Sequence, residues 1–198
     1  MKEVIEFLST VAPLSDGLQL ALYNTARHEN FPRGKFVHKR PAPCTNLYFI
    51  EKGLLCCYDL DQDSDRQYCT WAMEEGNIVT CVNSFDTGMP STETIQAIEA
   101  TDVWMIDRPR LEQLTADYPD FQRIRLRLTE RYHVQSRTMD AWRKRPPEQF
   151  YAWLLTNYPS LTARLPNEHM ASLIGISQST LYDIKRNRYK NLRNKRKK

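Results

Sequence analysis

Asn167-Glu168-His169-Met170-Ala171-Ser172-Leu173-Ile174-Gly175-Ile176-Ser177-Gln178-Ser179-Thr180-Leu181-Tyr182-Asp183-Ile184-Lys185-Arg186 has the residue spacing of two short helices crossing at a steep angle through a tight turn. A small residue is needed where the helices touch, and Ala171 stands there. A residue able to take positive φ is needed in the turn, and Gly175 supplies it. Met170, Ile174, Ile176, Leu181 and Ile184 fall where apolar anchors would lock the unit to a core. Ser177 is placed to cap the second helix through its hydroxyl. The competing reading is an ordinary helical hairpin with glycine at its turn.

A helix-turn-helix lays its second helix in the major groove, with residues near the helix N-terminus meeting base edges. Those residues are Ser177, Gln178, Ser179 and Asp183, with Thr180 and Tyr182 beside them. Gln pairs bidentately with adenine, Asp accepts from cytosine and Ser is permissive. Lys185, Arg186, Arg188 and Lys190 are placed to meet phosphates. From Lys185 to Lys198 there are nine Lys or Arg and no acid; the whole chain carries +4, so removing those nine cations leaves −5 on residues 1–184. An acidic body with a basic end suits a polyanion such as double-stranded DNA. A solvated tail with no partner is the plainer reading of the charge.

Upstream, Phe150, Tyr151, Trp153, Leu154, Leu155 and Tyr158 keep helical spacing and read as the core of a small C-terminal domain, residues 146–198. Arg143-Lys144-Arg145-Pro146-Pro147 reads as a linker or sharp bend. Phe121–Trp142 holds no Gly or Pro and can run about six turns, or roughly 33 Å. Phe121, Ile124, Leu128 and Tyr132 lie on one face, although Gln135 interrupts the stripe. Such a face either packs on its own domain or pairs with the same helix of a second subunit. The second reading assigns residues 119–145 to a dimerisation helix and linker, and the chain to a homodimer.

Residues 31–107 change character. Leu47–Ile50, Leu54–Leu60, Arg66–Met73, Thr94–Ile98 and Val103–Ile106 are short β-rich runs between turn signals such as Glu51-Lys52-Gly53 and Glu74-Glu75-Gly76. Their spacing predicts an antiparallel sandwich or barrel. Residues 1–30 read as short helices, with Ser15-Asp16 as an N-cap. A β-roll of this kind could instead carry a metal enzyme of the cupin type, which needs paired His plus a carboxylate. His38 is the only His between residues 31 and 107, and neither a GxSxG nor a P-loop occurs. The expectation is a non-enzyme without catalytic residues and without a metal.

Cys44, Cys56, Cys57, Cys69 and Cys81 are odd in number and form no CxxC pair. They read as free thiols in a reducing cytoplasm rather than a disulfide framework or zinc cage. No stretch approaches the 18 apolar residues of a membrane span, and Met1-Lys2-Glu3-Val4 leads into no signal peptide. The composition, 41% apolar and 26% charged, is that of a globular chain.

A β-rich N-terminal domain, a long helix and a C-terminal helix-turn-helix together resemble the Crp/Fnr family of bacterial transcription regulators. Leu47-Tyr48-Phe49-Ile50-Glu51-Lys52-Gly53 is similar to that family's strand and turn. Glu75-Gly76-Asn77-Ile78 is similar to the turn before its phosphate-binding cassette, and Phe85, Gly88 and Ile95-Gln96-Ala97 lie on the cassette without a gap. The resemblance implies an α+β fold. A cyclic-nucleotide-binding-like jelly roll, an antiparallel β-roll over residues 1–118, senses an effector. The long helix dimerises, and the C-terminal domain binds near-palindromic DNA and meets RNA polymerase.

Two departures qualify what the resemblance implies. Members that bind cyclic AMP carry Gly-Glu and then Arg followed by Ser or Thr. The matching positions here are Thr80, Cys81, Ser91 and Thr92, and only the hydroxyl at Thr92 is kept. Cys81 and Ser91 replace the ribose-binding Glu and phosphate-binding Arg, which removes a charge-assisted contact worth about 1.5–3 kcal/mol. The effector pocket is therefore expected to take something other than ordinary cyclic AMP, of unknown identity, or nothing. At the other end, Tyr189-Lys190-Asn191-Leu192 and the basic run leave no room for a β-hairpin, so the wing is reduced or absent. The alternative function is a ligand- or protein-binding sensor module whose tail touches nucleic acid without sequence preference.

Overall fold

The computed structural model describes residues 1–60 and 67–195, except for the side chains of Tyr189 and of 191–195. The turn signal Asp61-Gln62-Asp63 that follows the Leu54–Leu60 run, the first residue of the Arg66–Met73 run and the side chains of the basic tail from Arg193 onward lie outside it.

Two helices open the chain, α1 (Lys2–Ser9) and α2 (Asp16–Thr25). Ser15 caps α2 as expected, its Oγ accepting the Leu18 N–H at 3.3 Å. Among the described residues eight strands follow: β1 (Arg27–Phe31), β2 (Phe36–His38), β3 (Asn46–Lys52), β4 (Leu54–Leu60), β5 (Gln67–Glu74), β6 (Ile78–Val79), β7 (Thr94–Ala97) and β8 (Thr101–Asp107). A short helix, α3 (Val82–Thr87), lies between β6 and β7. The strands form two antiparallel four-stranded sheets, ordered β1-β8-β3-β6 and β2-β7-β4-β5. The fold is α+β with an antiparallel β-roll, as the sequence predicts.

Strand β1 overturns one expectation, since it falls within residues 1–30, which read as short helices. Its burial is low and its sequence, Arg-His-Glu-Asn-Phe, is polar. Pairing with β8 along its whole length makes it a strand, and an edge strand shows no apolar alternation to read.

Alternation sorts the other strands between layers. Tyr48, Ile50, Leu55, Cys57, Ile95 and Val103 point between the sheets and form their shared core. Phe49 and Ile106 point the other way, onto α1, α2 and the helices after β8. Leu54, Cys56 and Tyr58 face a third cluster, built with the C-terminal helices. Strand β4 is thus covered on both faces, which explains its unbroken apolar run Leu54-Leu55-Cys56-Cys57-Tyr58. The β3–β4 turn tolerates only glycine: a Cβ on Gly53, at φ 109°, would sit 2.6 Å from the Thr101 Cα.

Cysteine pairing corrects a second expectation. Cys44, Cys57 and Cys81 are free thiols, but Cys56 and Cys69 form a disulfide. Tyr58 pairs with Cys69 across β4 and β5, so Cys56 and Cys69 lie diagonally on one sheet face with Cα atoms 6.6 Å apart. That spacing is within disulfide reach. The separation of 13 residues says nothing of it until the register is known.

After β8 come α4 (Arg108–Asp117), α5 (Pro119–Arg143), α6 (Pro147–Asn157), α7 (Pro159–Arg164), α8 (Asn167–Ile174) and α9 (Gln178–Lys195). Asp107 caps α4 by accepting the Arg110 N–H at 3.0 Å. Among the described residues no helix is long and apolar enough to cross a membrane, and no strand follows α8.

Candidate nucleic-acid interface and effector pocket

Helix α8 ends where Gly175 turns into the left-handed region at φ 82°. The Gly175 N–H donates to the Ala171 carbonyl at 2.9 Å, and the Ile176 N–H to the same oxygen at 2.9 Å. These bonds satisfy carbonyls that the helix end would otherwise orphan. Ser177 then starts α9, its Oγ accepting the Thr180 N–H at 3.1 Å. Met170, Ala171, Ile174, Leu181 and Ile184 are buried together. Ile176 is partly buried against them. Six apolar positions and one turn therefore hold α9 by its inner face.

The opposite face of α9 is open. Ser177, Gln178, Ser179, Thr180, Tyr182 and Asp183 are all exposed, as are Arg186, Arg188 and Lys190. Several of these groups already have partners: Asp183 and Arg186 form an i,i+3 ion pair at 2.7 Å, the Arg186 guanidinium lies 5.9 Å from the Tyr182 ring, and Ser177 Oγ lies 2.8 Å from both Ser179 Oγ and Thr180 Oγ1. Lys185 departs most from the sequence reading. It is half-buried, donates to Asn167 Oδ1 and sits 5.7 Å from the Tyr151 ring, with burial pulling its pKa below the usual lysine range. It ties α9 to α8 and α6 and is not a free arm.

The α8 side of this unit rests on the β-roll. Tyr58 Oη meets His169 Nδ1 at 2.8 Å, and the Cys69 N–H donates to Ser172 Oγ at 2.8 Å. Burial holds His169 below the usual histidine range and Tyr58 above the usual tyrosine range. Arg164 on α7 forks onto Glu75 at 2.6 and 2.9 Å and also reaches Glu99. Arg143 at the end of α5 donates to the Thr70 carbonyl and lies 5.8 Å from the Trp71 ring. None of these contacts is legible in the sequence, because each joins residues about 65 to 111 positions apart.

Helix α5 is as long as expected, but its apolar stripe turns inward. Phe121 and Ile124 are buried against α1, α2 and α4, and Leu128 packs partly on the same cluster. Tyr132 is half-buried, its pKa raised by burial and then by Glu93. Leu126 and Val134, 61% and 67% exposed, are the large apolar side chains that α5 leaves uncovered. Phe121, Ile124 and Leu128 of the stripe expected at the dimer seam lie on this helix's intramolecular face, packed with the N-terminal helices and α4; Tyr132 is not part of that cluster.

Thr80, Cys81, Ser91 and Thr92 gather only in part. Cys81 and Ser91 are buried, Thr80 is half-buried and Thr92 is exposed. The Ser91 hydroxyl is used locally, donating to the Glu93 carbonyl at 3.0 Å and accepting the Glu93 N–H at 3.1 Å. Thr80 Oγ1 donates to the Asn46 carbonyl at 3.0 Å. The surprise is Cys44, which nothing in the sequence places here. Its sulfur lies 3.5 Å from Thr80 Oγ1 and within 4.8 Å of the Cys81 sulfur. Each thiol acts on the other: the Cys81 neighbour pulls Cys44 below the usual thiol range, and Cys44 with burial pushes Cys81 above it. His38 completes the cluster: a ring nitrogen of His38 and the sulfurs of Cys44 and Cys81 all lie within 4.8 Å of one another. Counting histidines along the chain speaks against a metal, but the fold brings two thiols to the one histidine.

Residues 28–118 match the cyclic nucleotide-binding domain family. The chain superposes on FixK2 from Bradyrhizobium japonicum with a TM-score of 0.72 at 14% identity, covering 84% of this chain and 86% of that one. A transcriptional regulator of the Crp/Fnr family from Eubacterium rectale gives a TM-score of 0.67 at 17% identity, covering 89% and 86%. The chain has the Crp/Fnr fold. The c-di-GMP responsive global regulator CLP of Xanthomonas campestris is similar to the same extent, with a TM-score of 0.67, 16% identity and 89% and 93% covered. No curated protein matches the chain in sequence. Within the Crp/Fnr fold the β-roll is the nucleotide-binding-like unit, and the α8–turn–α9 unit lies at the far end of the chain.

Proposed function

We propose that this protein is a DNA-binding transcription regulator of the Crp/Fnr type, a homodimer and not an enzyme, acting in the cytoplasm. One observation carries the reading. The leading edge of α9, with Gln178, Ser179 and Asp183, faces solvent while Leu181 and Ile184 anchor the helix from behind. A helix held this way can enter a major groove without unfolding anything. Gln178, Ser179 and Asp183 read base edges, with Ser177, Thr180 and Tyr182 beside them. Arg188 and Lys190 meet phosphates, and Arg186 joins them when Asp183 releases it. Lys185 is a positioning residue for α9.

The dimer forms along the outer face of α5, through Leu126 and Val134, since the inner stripe is occupied. The β-roll takes an effector other than cyclic AMP. At Ser91 a hydroxyl already bonded to its own turn stands where a phosphate-binding guanidinium would be needed.

Selection of duplex fragments from a random pool by the purified protein tests this. The expected product is a near-palindrome with half-sites roughly 34–36 Å apart. Equal retention of all duplexes at moderate salt would overturn it.

A further inference from the structure

His38 ends β2, Cys44 lies in the loop before β3, and Cys81 directly precedes α3. Three separate segments thus deliver one imidazole and two thiols to one point, the thiols belonging to the core between the sheets. His38 Nε2 is buried and has no hydrogen-bond partner among the described residues. An imidazole nitrogen shut away from water with nothing to bond costs free energy, and a ligand that accepts its lone pair removes that cost. Cys44 and Cys81 are 2% and 1% exposed, and neither is in a disulfide. We propose that His38, Cys44 and Cys81 bind one borderline-soft divalent cation of the zinc class.

Donor type, spacing and charge agree on this. Two thiolates with one imidazole suit zinc and not magnesium or calcium, which take oxygen ligands. Zinc bonds of about 2.3 Å to sulfur and about 2.0–2.1 Å to nitrogen set tetrahedral donors roughly 3.5–3.8 Å apart. The three atoms here lie within 4.8 Å, so closing on the ion takes side-chain movement of about 1 Å. Both sulfurs enter as thiolates, any thiol proton leaving to water, and the imidazole enters neutral. The dication and two thiolates then sum to zero charge, which a buried site tolerates.

The surroundings hold the ligands in place. The Cys44 N–H donates to Ser84 Oγ at 2.9 Å, and that hydroxyl donates to the Met89 carbonyl at 2.6 Å. Thr80 Oγ1 lies 3.5 Å from the Cys44 sulfur. The thiol contacts to the Asn46 and Glu93 carbonyls, at 3.5 and 4.0 Å, are given up when the protons leave. Three protein ligands leave a fourth position for water or a small ligand.

The test uses full-length protein, reduced without a chelating thiol and kept anaerobic. Cobalt chloride is added first, then zinc chloride. We expect one cobalt per chain, with sulfur-to-cobalt charge-transfer absorption and the ligand-field bands of a four-coordinate ion, both lost as zinc displaces cobalt. Cys44→Ser and Cys81→Ser should remove the charge-transfer bands or halve them, and His38→Ala should shift the ligand-field bands. Each should weaken zinc by more than the roughly 10–100-fold that loss of an outer supporting contact costs. The wild-type spectrum needs no variant to fold: no thiolate charge transfer there overturns the proposal. So do bands that survive Cys44→Ser and Cys81→Ser but vanish in Cys56→Ser, which would put the metal on the other cysteine pair. Neither result depends on DNA binding.

Discussion

Arg164 in α7 and Glu75 in the turn after β5 form a two-pronged pair at 2.6 and 2.9 Å, joining the C-terminal helices to the β-roll. Glu75 also accepts the Gly53 N–H at 2.8 Å, so the same carboxylate fixes the β3–β4 turn. One acidic side chain therefore couples the position of the α8–α9 unit to the nucleotide-binding-like domain.

This pair makes stability depend on acid. Burial alone would raise the Glu75 pKa, but the Arg164 hydrogen bonds and the Gly53 N–H outweigh it and hold the group at about 2. A carboxylate depressed below its unfolded value contributes fully above about 4.5 and loses that contribution as pH falls toward about 2. The Glu75 side chain is 37% exposed, so screening limits its worth to about 1 kcal/mol. Urea unfolding of Glu75→Gln should show that deficit at pH 7 and only a small part of it at pH 2. An unchanged gap across that range would mean that the pair does not carry the acid dependence.

Gly175 sits at φ 82°, where a side chain is strained even though nothing lies within 4 Å of its Cβ position. Gly175→Ala should cost about 1–2 kcal/mol from backbone strain alone. Ser177→Ala, which removes the α9 cap, should cost about 1 kcal/mol. Thermal unfolding compares them, and a neutral Gly175→Ala would contradict the turn geometry.

Exposed polar residues on α9 should separate by role. Gln178→Ala should alter which base is preferred at one position of each half-site, by about 1–3 kcal/mol. Arg188→Ala should weaken all duplexes alike and lower the salt slope by about 0.9 for each phosphate it no longer neutralises. Binding isotherms at several salt concentrations, on matched and mismatched duplexes, distinguish the two. A Gln178→Ala protein with unchanged preference would take that residue out of the readout.

The two faces of α5 should respond oppositely. Ile124 is fully buried, and Ile124→Ala should cost about 2–5 kcal/mol of stability. Leu126→Glu with Val134→Glu should leave the melting temperature of the monomer nearly unchanged while shifting the sedimentation profile toward monomer. A dimer indifferent to both charges would move the interface off this face.

Much of the fold is legible locally. The α8–α9 turn can be read from Ala171, Gly175 and Ser177 because cap and turn chemistry is set by adjacent residues. Strands β3, β4 and β7 can be read because Gly, Pro and acidic turn residues bracket β-rich runs. Strand β1 cannot, since its residues are polar and only β8 makes them a strand. Phe121 and Ile124 do share one face, as their spacing predicts, but the N-terminal helices cover it rather than a second subunit. Periodicity reports that a face is covered and does not say by what.

Sequence alone therefore determined the succession of helical, β-rich and helical regions, the antiparallel β-roll, the long helix and the exposed edge of α9. These follow from interactions within a few residues, which spacing records directly. Tertiary structure decided what spacing cannot hold: the N-terminal helices filling the stripe of α5, Arg164 reaching Glu75, Cys56 meeting Cys69, and His38 with Cys44 and Cys81. Each of these is a meeting of side chains brought together by strand register and helix docking, and register is a property of the packed sheets as a whole.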